Sequence, residues 1–167
     1  CAVGVSGKAA NLFTARKIRS KKDLDLGFVG DITEINESLI HTLCGEGYIP
    51  VISPVSSSKN GESLNLNADH VASEIAKSLN AHKLIYLTDI NGVMVDKKLQ
   101  SQLDLSQAKA LLTHPDITGG MLPKLNCTVD AIEGNVPNVH IINGTIEHAV
   151  LLELFTHGGI GTMVTPS

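Results

Sequence analysis

The hydrophobic pattern of this chain switches repeatedly between short apolar runs and helical spacing. The clearest run is Leu84-Ile85-Tyr86-Leu87. It suits a strand buried on both faces, as in a parallel sheet. The run leads into Thr88-Asp89 and then Asn91-Gly92, a turn pair that tolerates positive φ. Upstream, Ala2–Val5 and Leu12–Ala15 flank a polar stretch and predict a β-hairpin over residues 2–15. The run Arg16–Lys22 is basic and reads as a solvated loop. Phe28–Ile35 alternates apolar and polar and predicts a strand. Asn36 is placed to cap a helix carrying Leu39, Ile40, Leu43 and Cys44, with Gly45 and Gly47 as its stop.

Ile49–Val55 predicts a strand bounded by Pro50 and Pro54, and Ser56–Glu62 a loop. A helix entered through Asn65–Asp69 has Val71, Ala72, Ile75, Ala76 and Leu79 on one face. After the Leu84 strand, Asp96–Gln102 is a polar excursion. Leu105, Ala108, Leu111 and Leu112 mark a helix that stops near Pro115. Gly119-Gly120 opens another, with Leu125, Val129 and Ile132 inward, Pro123 in its first turn and Gly134 at its end. Val139–Ile142 predicts a strand, His148–Phe155 a helix ending at Gly158-Gly159, and Gly161–Val164 a last strand. Alternating strands and helices imply an α/β fold: a single domain over 1–167, with a mostly parallel open sheet and helices on both faces.

Composition narrows the function. The chain has 167 residues, 43% of them hydrophobic and 18% charged, which gives a globular core. Aromatics are 3% with no Trp, so that core is built from Val, Ile, Leu and Ala. A net charge of −4 argues against a nucleic-acid surface. No apolar run is long enough to span a membrane. Three widely spaced cysteines, Cys1, Cys44 and Cys127, argue against a disulfide framework or a zinc site and fit a reducing compartment. Cys44 and Cys127 fall in helical patterns and read as buried thiols. The chain starts without Met and enters a strand-like stretch at once, so it reads as a piece of something longer.

In open α/β sheets ligands bind beyond the carboxyl ends of the strands, which makes Asp89–Gly92 either a ligand loop or an ordinary polar turn. Phosphate-loop, dinucleotide, nucleophile-elbow and protein-kinase signatures do not occur, and the seven His never pair at metal-ligand spacing. Two helix starts remain. In the first, Asn67 and Asp69 can be a cap and a dipole complement. Alternatively, Asn65 and Asn67 hold a carboxylate or amide while Asp69 orients a cation. In the second, Thr118-Gly119-Gly120 leaves backbone N–H groups open to an anion. Lys124 follows in the first turn, where a cation is disfavoured unless an anion joins it. It is either a snorkelling surface lysine or a phosphate ligand.

Taken in order, several segments resemble the acetylglutamate kinases of the amino acid kinase family: Asn-Leu-Asn-Ala-Asp (65–69), Leu-Thr-Asp-Ile-Asn-Gly-Val (87–93), Gly-Gly-Met-Leu-Pro-Lys (119–124) and Glu-Leu-Phe-Thr-His-Gly-Gly-Ile-Gly-Thr-Met (153–163). Gly4–Lys8, Leu26–Gly30 and Gly47–Ile52 agree. The resemblance implies a three-layer αβα sandwich. It also implies transfer of the ATP γ-phosphoryl group, with Mg2+, to the side-chain carboxylate of N-acetyl-L-glutamate in arginine biosynthesis. The setting would be the cytoplasm, or an organelle stroma or matrix. By this match Lys124 stabilises charge on the transferred group and Asp69 organises the catalytic lysines, while Asn65 binds acetylglutamate. The nucleotide falls to Thr88, Asp89, Ile90, Asn91, Gly92, Val93 and Met94, with Thr118, Gly120 and Lys124. No metal ligand is assigned. His140, Glu153 and Gly159 match residues that bind L-arginine in feedback-inhibited members. Without the resemblance, Glu153 reads as a surface carboxylate and Gly159 as a helix stop.

The departure is at the front. The family's Lys-x-Gly-Gly segment, which supplies a second catalytic lysine, and the glycine pair and arginine that cradle the substrate do not occur in this chain. The chain therefore corresponds to the nucleotide-binding C-terminal portion, with the N-terminal part of the fold missing. The sheet edge or apolar surface this uncovers predicts self-association, hence a homo-oligomer. A non-catalytic nucleotide- or arginine-binding regulatory module, and a sibling kinase with another substrate, are the competing readings.

Overall fold

The structure is a computed structural model and describes residues 1–18, 27–156 and 159–167. Arg19, Lys21 and Lys22 of the basic run, and Gly158 of the helix stop, lie outside the described residues. Where the sequence predicts one domain, the chain divides into two compact units, Cys1–Leu79 and Asn80–Ser167.

The first unit contains β1 (Ala2–Ser6), β2 (Phe13–Lys17), β3 (Gly30–Ile35), α1 (Glu37–Gly45), β4 (Ile49–Ser53), β5 (Val55–Ser57), β6 (Ser63–Asn65) and α2 (Ala68–Ser78). The expected hairpin over residues 2–15 does not form. β1 runs parallel to β4, with Ala2 opposite Ile49 and Ser6 opposite Ser53. β2 instead pairs antiparallel with β3 in a separate sheet of order β3-β2-β5-β6. The connection explains the difference. Ala10 and Asn11 both take positive φ, and the Phe13 ring packs so closely on Gly7 that a Cβ there would collide with it. The turn thus carries the chain into a separate sheet instead of folding it back.

Ser56, expected in a loop, is a buried strand residue, and its hydroxyl donates to the Phe13 carbonyl at 2.5 Å. β5 and β6 pair antiparallel as a hairpin. Leu12, Phe13, Ala15, Ile40, Leu64, Leu66 and Val71 make its core. Each large member contributes about 1.5–3 kcal/mol by leaving water. Both helices start where their caps predict: Asn36 Oδ1 accepts from the Ser38 N–H, and Asn67 Oδ1 from the His70 N–H. Cys44 is exposed, against expectation, because only Ile40 of α1 is buried.

The second unit contains β7 (Leu84–Thr88), β8 (Met94–Val95), β9 (Lys98–Leu99), β10 (Gln102–Asp104), α3 (Leu105–Leu111), α4 (Met121–Glu133), β11 (Val139–Asn143), α5 (Ala149–Phe155) and β12 (Thr162–Thr165). The sheet order is β10-β12-β11-β7. β7 runs parallel to β11 and β10 parallel to β12, while β11 and β12 are antiparallel. Parallel pairing in both units, with helices between strands, is the α/β class the sequence predicts.

The strand buried on both faces is β11, whose residues 139–142 are all buried. β7 is an edge strand: Leu84 and Tyr86 are buried, but Leu87 is 55% exposed. Both stretches are apolar, and only the strand order separates them. The polar excursion is a small hairpin of β8 and β9, with Asp96 and Lys97 at positive φ as a two-residue turn requires. A capping box between Asp104 and Gln107 opens α3. Among the described residues no helix is long and apolar enough to cross a membrane.

Candidate functional site

The parallel strands β7 and β11 end side by side, with Thr88 opposite Asn143. Their carboxyl ends are tied together. The Gly144 N–H donates to the Thr88 carbonyl at 2.8 Å, and Asn143 Nδ2 donates to Asn91 Oδ1 at 2.9 Å. Asn143 Oδ1 in turn accepts from the N–H and hydroxyl of Thr145. The Thr88 hydroxyl donates to Asp89, and Ile90 is exposed. Gly92 adopts φ +131°, and a Cβ there would fall 2.6 Å from Thr162 Oγ1, so both conformation and space require glycine. The buried Val93 N–H donates to that same oxygen at 2.8 Å. Beyond the loop, Met94, Asp96, Lys97 and Asp116 line a cavity of about 500 Å³. Asp116 Oδ2 accepts from the Asp96 N–H at 2.7 Å and fixes its rim.

At the start of α4, Gly119 takes φ +56°, and a Cβ on either Gly119 or Gly120 would meet nothing within 4 Å. No side chain caps the helix. The Met121 N–H is donated to the Thr118 carbonyl at 3.2 Å, while the glycine backbone at the positive dipole end stands beside open space, the arrangement that favours an anion. Lys124 is not the exposed lysine of one reading. It is 8% exposed and lies on the buried stripe with Met121, Leu125 and Thr128. Its Nζ stands 5.1 Å from the ring centroid of Tyr86, itself 3% exposed. A buried ammonium above an aromatic face is held by the ring's quadrupole.

In the first unit, Asn65 ends β6 with its backbone N–H donated to the Phe28 carbonyl and its side chain exposed. Asn67 is the cap of α2, so its amide oxygen is already engaged. Asp69 stands half-buried in the first turn of that helix. His70 Nε2 lies 2.9 Å from Asp31 Oδ1.

A separate cavity of about 480 Å³ in the second unit brings together His140, Glu153 and Gly159, beside Lys83 and Gln102. His140 Nδ1 lies 2.6 Å from Glu153 Oε1, and the Ile160 N–H donates to Glu153 Oε2 at 2.6 Å. A Cβ on Gly159, at φ +56°, would fall 2.9 Å from Glu153 Oε2. Glu153 is therefore a buried group, not a surface carboxylate. Burial raises its pKa, but the hydrogen bonds from Ile160 and His140, the charge of His140 and the Gly161 backbone together hold it below its usual value. His140 Nε2 is buried with no hydrogen-bond partner among the described residues.

Residues 2–143 match the amino acid kinase family. The chain belongs to that family. Among curated relatives it is 44% identical to the acetylglutamate kinase of Moorella thermoacetica, over 99% of this chain and 60% of that protein. With the acetylglutamate kinase of Kosmotoga olearia it shares 48% identity, over 98% of this chain and 57% of that one. The chain thus spans about 60% of the length of the curated relatives it matches. Among solved structures, the N-acetylglutamate synthase of Neisseria gonorrhoeae complexed with coenzyme A and N-acetyl-glutamate superposes with a TM-score of 0.89 at 32% identity, over 98% of this chain and 38% of that one. The carbamate kinase of Giardia lamblia bound to AMP-PNP has a TM-score of 0.67 at 22% identity, over 95% and 54% of the two chains, and shares the fold.

For an amino acid kinase chain, the second unit brings residues 88–94 to a parallel strand end, as the sequence predicts, and gathers the three proposed effector residues around one cavity. Sequence reasoning missed Thr162, Asn143, Asp96, Lys97 and Asp116. The segment 153–163 was informative as a motif, yet nothing local marks Thr162, because its partner Val93 lies 69 residues away.

Proposed function

We propose that the protein carrying this chain transfers the γ-phosphoryl group of ATP to the side-chain carboxylate of N-acetyl-L-glutamate, giving N-acetyl-L-glutamyl 5-phosphate in arginine biosynthesis. The observation that carries the reading is the uncapped start of α4, with its paired glycines and a buried lysine, in the same unit as a glycine loop at a parallel strand end. The names of the curated relatives support it.

A carboxylate oxygen attacks the γ-phosphorus, the bond to the β–γ bridging oxygen breaks, and ADP leaves. Proteins catalyse such transfers mostly by positioning groups and neutralising charge. The loop Thr88–Met94 and the cavity at Asp96, Lys97 and Asp116 take the nucleotide. The open N–H groups at Gly120 take phosphate oxygens, and Lys124 neutralises the transferring group. These residues fit a nucleotide: two glycines leave room for backbone approach, and Lys97 and Lys124 supply cations. Among the described residues no group of three or more His, Cys, Asp or Glu could hold a metal. Mg2+ would come with the nucleotide, held by its phosphates and waters and needing only one or two protein carboxylates. Asn65 is assigned to the acetylglutamate and Asp69 to organising the catalytic lysines. The test is coupled ADP release by the full-length protein over a panel of acids. Turnover confined to another acid identifies a sibling kinase, and nucleotide binding without turnover identifies a regulatory module.

A second reading, of regulation, has its own observation. The cavity at His140 and Glu153 presents a buried carboxylate held in its ionised form, which suits a guanidinium. We infer that L-arginine binds there as a feedback inhibitor. A solved structure of the Neisseria gonorrhoeae N-acetylglutamate synthase complexed with coenzyme A and L-arginine, with a TM-score of 0.85, supports a likeness. Titration calorimetry with L-arginine should give binding in the parent and none in Glu153→Ala. Absence of heat in the parent ends this reading.

A further inference from the structure

We propose that Asn143 is a positioning residue for the nucleotide, acting through Asn91: it fixes the Asn91 amide so that the N–H groups, and not the carbonyl, meet an acceptor atom of the nucleotide. The inference rests on the nucleotide reading of the loop Thr88–Met94 and adds a residue from β11, outside that loop. Asn143 ends β11 and stands opposite Thr88, the last residue of β7. Asn91 lies three residues beyond Thr88 and is exposed.

The direction of the Asn91 amide follows from counting donors and acceptors. An asparagine side chain has a carbonyl that accepts and an NH2 group that only donates. The Thr145 N–H is an obligate donor, so the Asn143 atom 2.9 Å from it is the carbonyl oxygen. The Thr145 hydroxyl donates to the same oxygen at 2.7 Å. Both lone pairs of Asn143 Oδ1 are then occupied, and Asn143 offers Asn91 its NH2 group. Across 2.9 Å that group needs an acceptor, so Asn91 turns Oδ1 toward it. The reversed amide would set two NH2 groups against each other. Asn91 Nδ2, the other terminus, keeps its two N–H groups for what approaches from solvent. The frame is held as well: the Gly144 N–H donates to the Thr88 carbonyl at 2.8 Å and ties the two strand ends together. The amide is therefore oriented before a ligand arrives, and binding does not have to order it. Phosphate oxygens, ribose oxygens and purine ring nitrogens all supply the acceptor this donor requires.

Asn143→Asp is the informative change. One carboxylate oxygen still accepts from Thr145. The other can only accept, so the Asn91 amide turns over, gives its NH2 group to residue 143 and presents its carbonyl outward. The added charge also repels phosphate, so this variant is measured in a cycle with Asn91→Ala, where the charge is common to both members of the second pair. Calorimetry with MgADP on the full-length protein should show Asn91→Ala raising Kd by roughly 2- to 12-fold in the parent, the range of one net hydrogen bond. In the Asn143→Asp background the same substitution should add no further loss. An equal loss in both backgrounds overturns the proposal, since Asn143 would then not govern the amide. No loss in the parent also overturns it, since Asn91 would then donate nothing. The side-chain amide protons of Asn91, identified by their disappearance in Asn91→Ala, give a second readout that holds even if Asn143→Asp fails to fold. MgADP should displace them in the parent, and an unmoved pair overturns the proposal. Adenosine beside MgADP locates the acceptor: a loss with both places it on the base or ribose, and a loss with MgADP alone on a phosphate. A parent that binds no MgADP overturns the nucleotide reading and this inference together. A parent that binds it while the cycle shows no coupling overturns this inference alone.

Discussion

Replacing Thr162 by Val tests whether one hydroxyl holds the nucleotide loop. Thr162 Oγ1 accepts from the Val93 N–H at 2.8 Å, and both residues are fully buried. Valine has nearly the same shape, so the change opens no cavity. It leaves a buried N–H without its acceptor, which costs about 1–3 kcal/mol. The new methyl also stands against Gly92, whose backbone already approaches Thr162 Oγ1 so closely that no Cβ fits. If the loop alone carries the loss, the Kd for MgADP rises by roughly 5- to 150-fold, at tenfold per 1.4 kcal/mol. If the core carries it, the unfolding midpoint of the unit falls by about 4–8 °C per kcal/mol instead. Calorimetry with MgADP beside a thermal melt separates the two, and Thr162→Ser, which keeps the hydroxyl, serves as control. Unchanged affinity together with an unchanged midpoint would refute the reasoning, since a buried donor cannot lose its partner at no cost.

Three further outcomes follow from the same structure. Lys124→Ala in the full-length protein should lower kcat by roughly 10²–10³, as for loss of one preorganised charge stabiliser. Because Lys124 is buried, Lys124→Met, which keeps the stem, should show the same kinetic loss with a smaller change in melting temperature, and an unchanged kcat in both removes Lys124 from the chemistry. Glu153 has its folded pKa lowered from 4.5, so its stabilisation is present above that value and is lost as pH falls through the folded pKa. The urea midpoint of the parent should therefore exceed that of Glu153→Gln near neutrality and converge with it in acid; a gap that widens on acidification would show the sign to be wrong. The 167-residue chain by itself should bind MgADP yet fail to phosphorylate acetylglutamate, because no Lys-x-Gly-Gly segment occurs in it. Robust turnover by this chain would contradict that expectation.

What could be read from the sequence was local. Asn36 and Asn67 announce their helices because a cap acts on an N–H two or three residues ahead. Gly120 and Gly134 bracket α4, and Asn91-Gly92 marks a turn, for the same short-range reason. The ordered motifs identified the family because each is a contiguous string. Tertiary structure decided the rest. Leu84–Leu87 and Val139–Ile142 are both mostly apolar, the second despite His140, and strand order makes β11 central and β7 an edge. Whether Ala2–Ser6 pairs with Phe13–Lys17 or with Ile49–Ser53 depends on strands more than thirty residues apart, and positive φ at Ala10 and Asn11 directs the chain to the distant one. In the sequence Lys124 is either a surface lysine or a phosphate ligand, and its burial against Tyr86 removes the first; Glu153, a surface carboxylate without the resemblance, is enclosed by His140 and Ile160. Thr162 could not have been singled out at all, because a hydroxyl acquires its role from the amide it meets, and that amide comes from the other end of the unit.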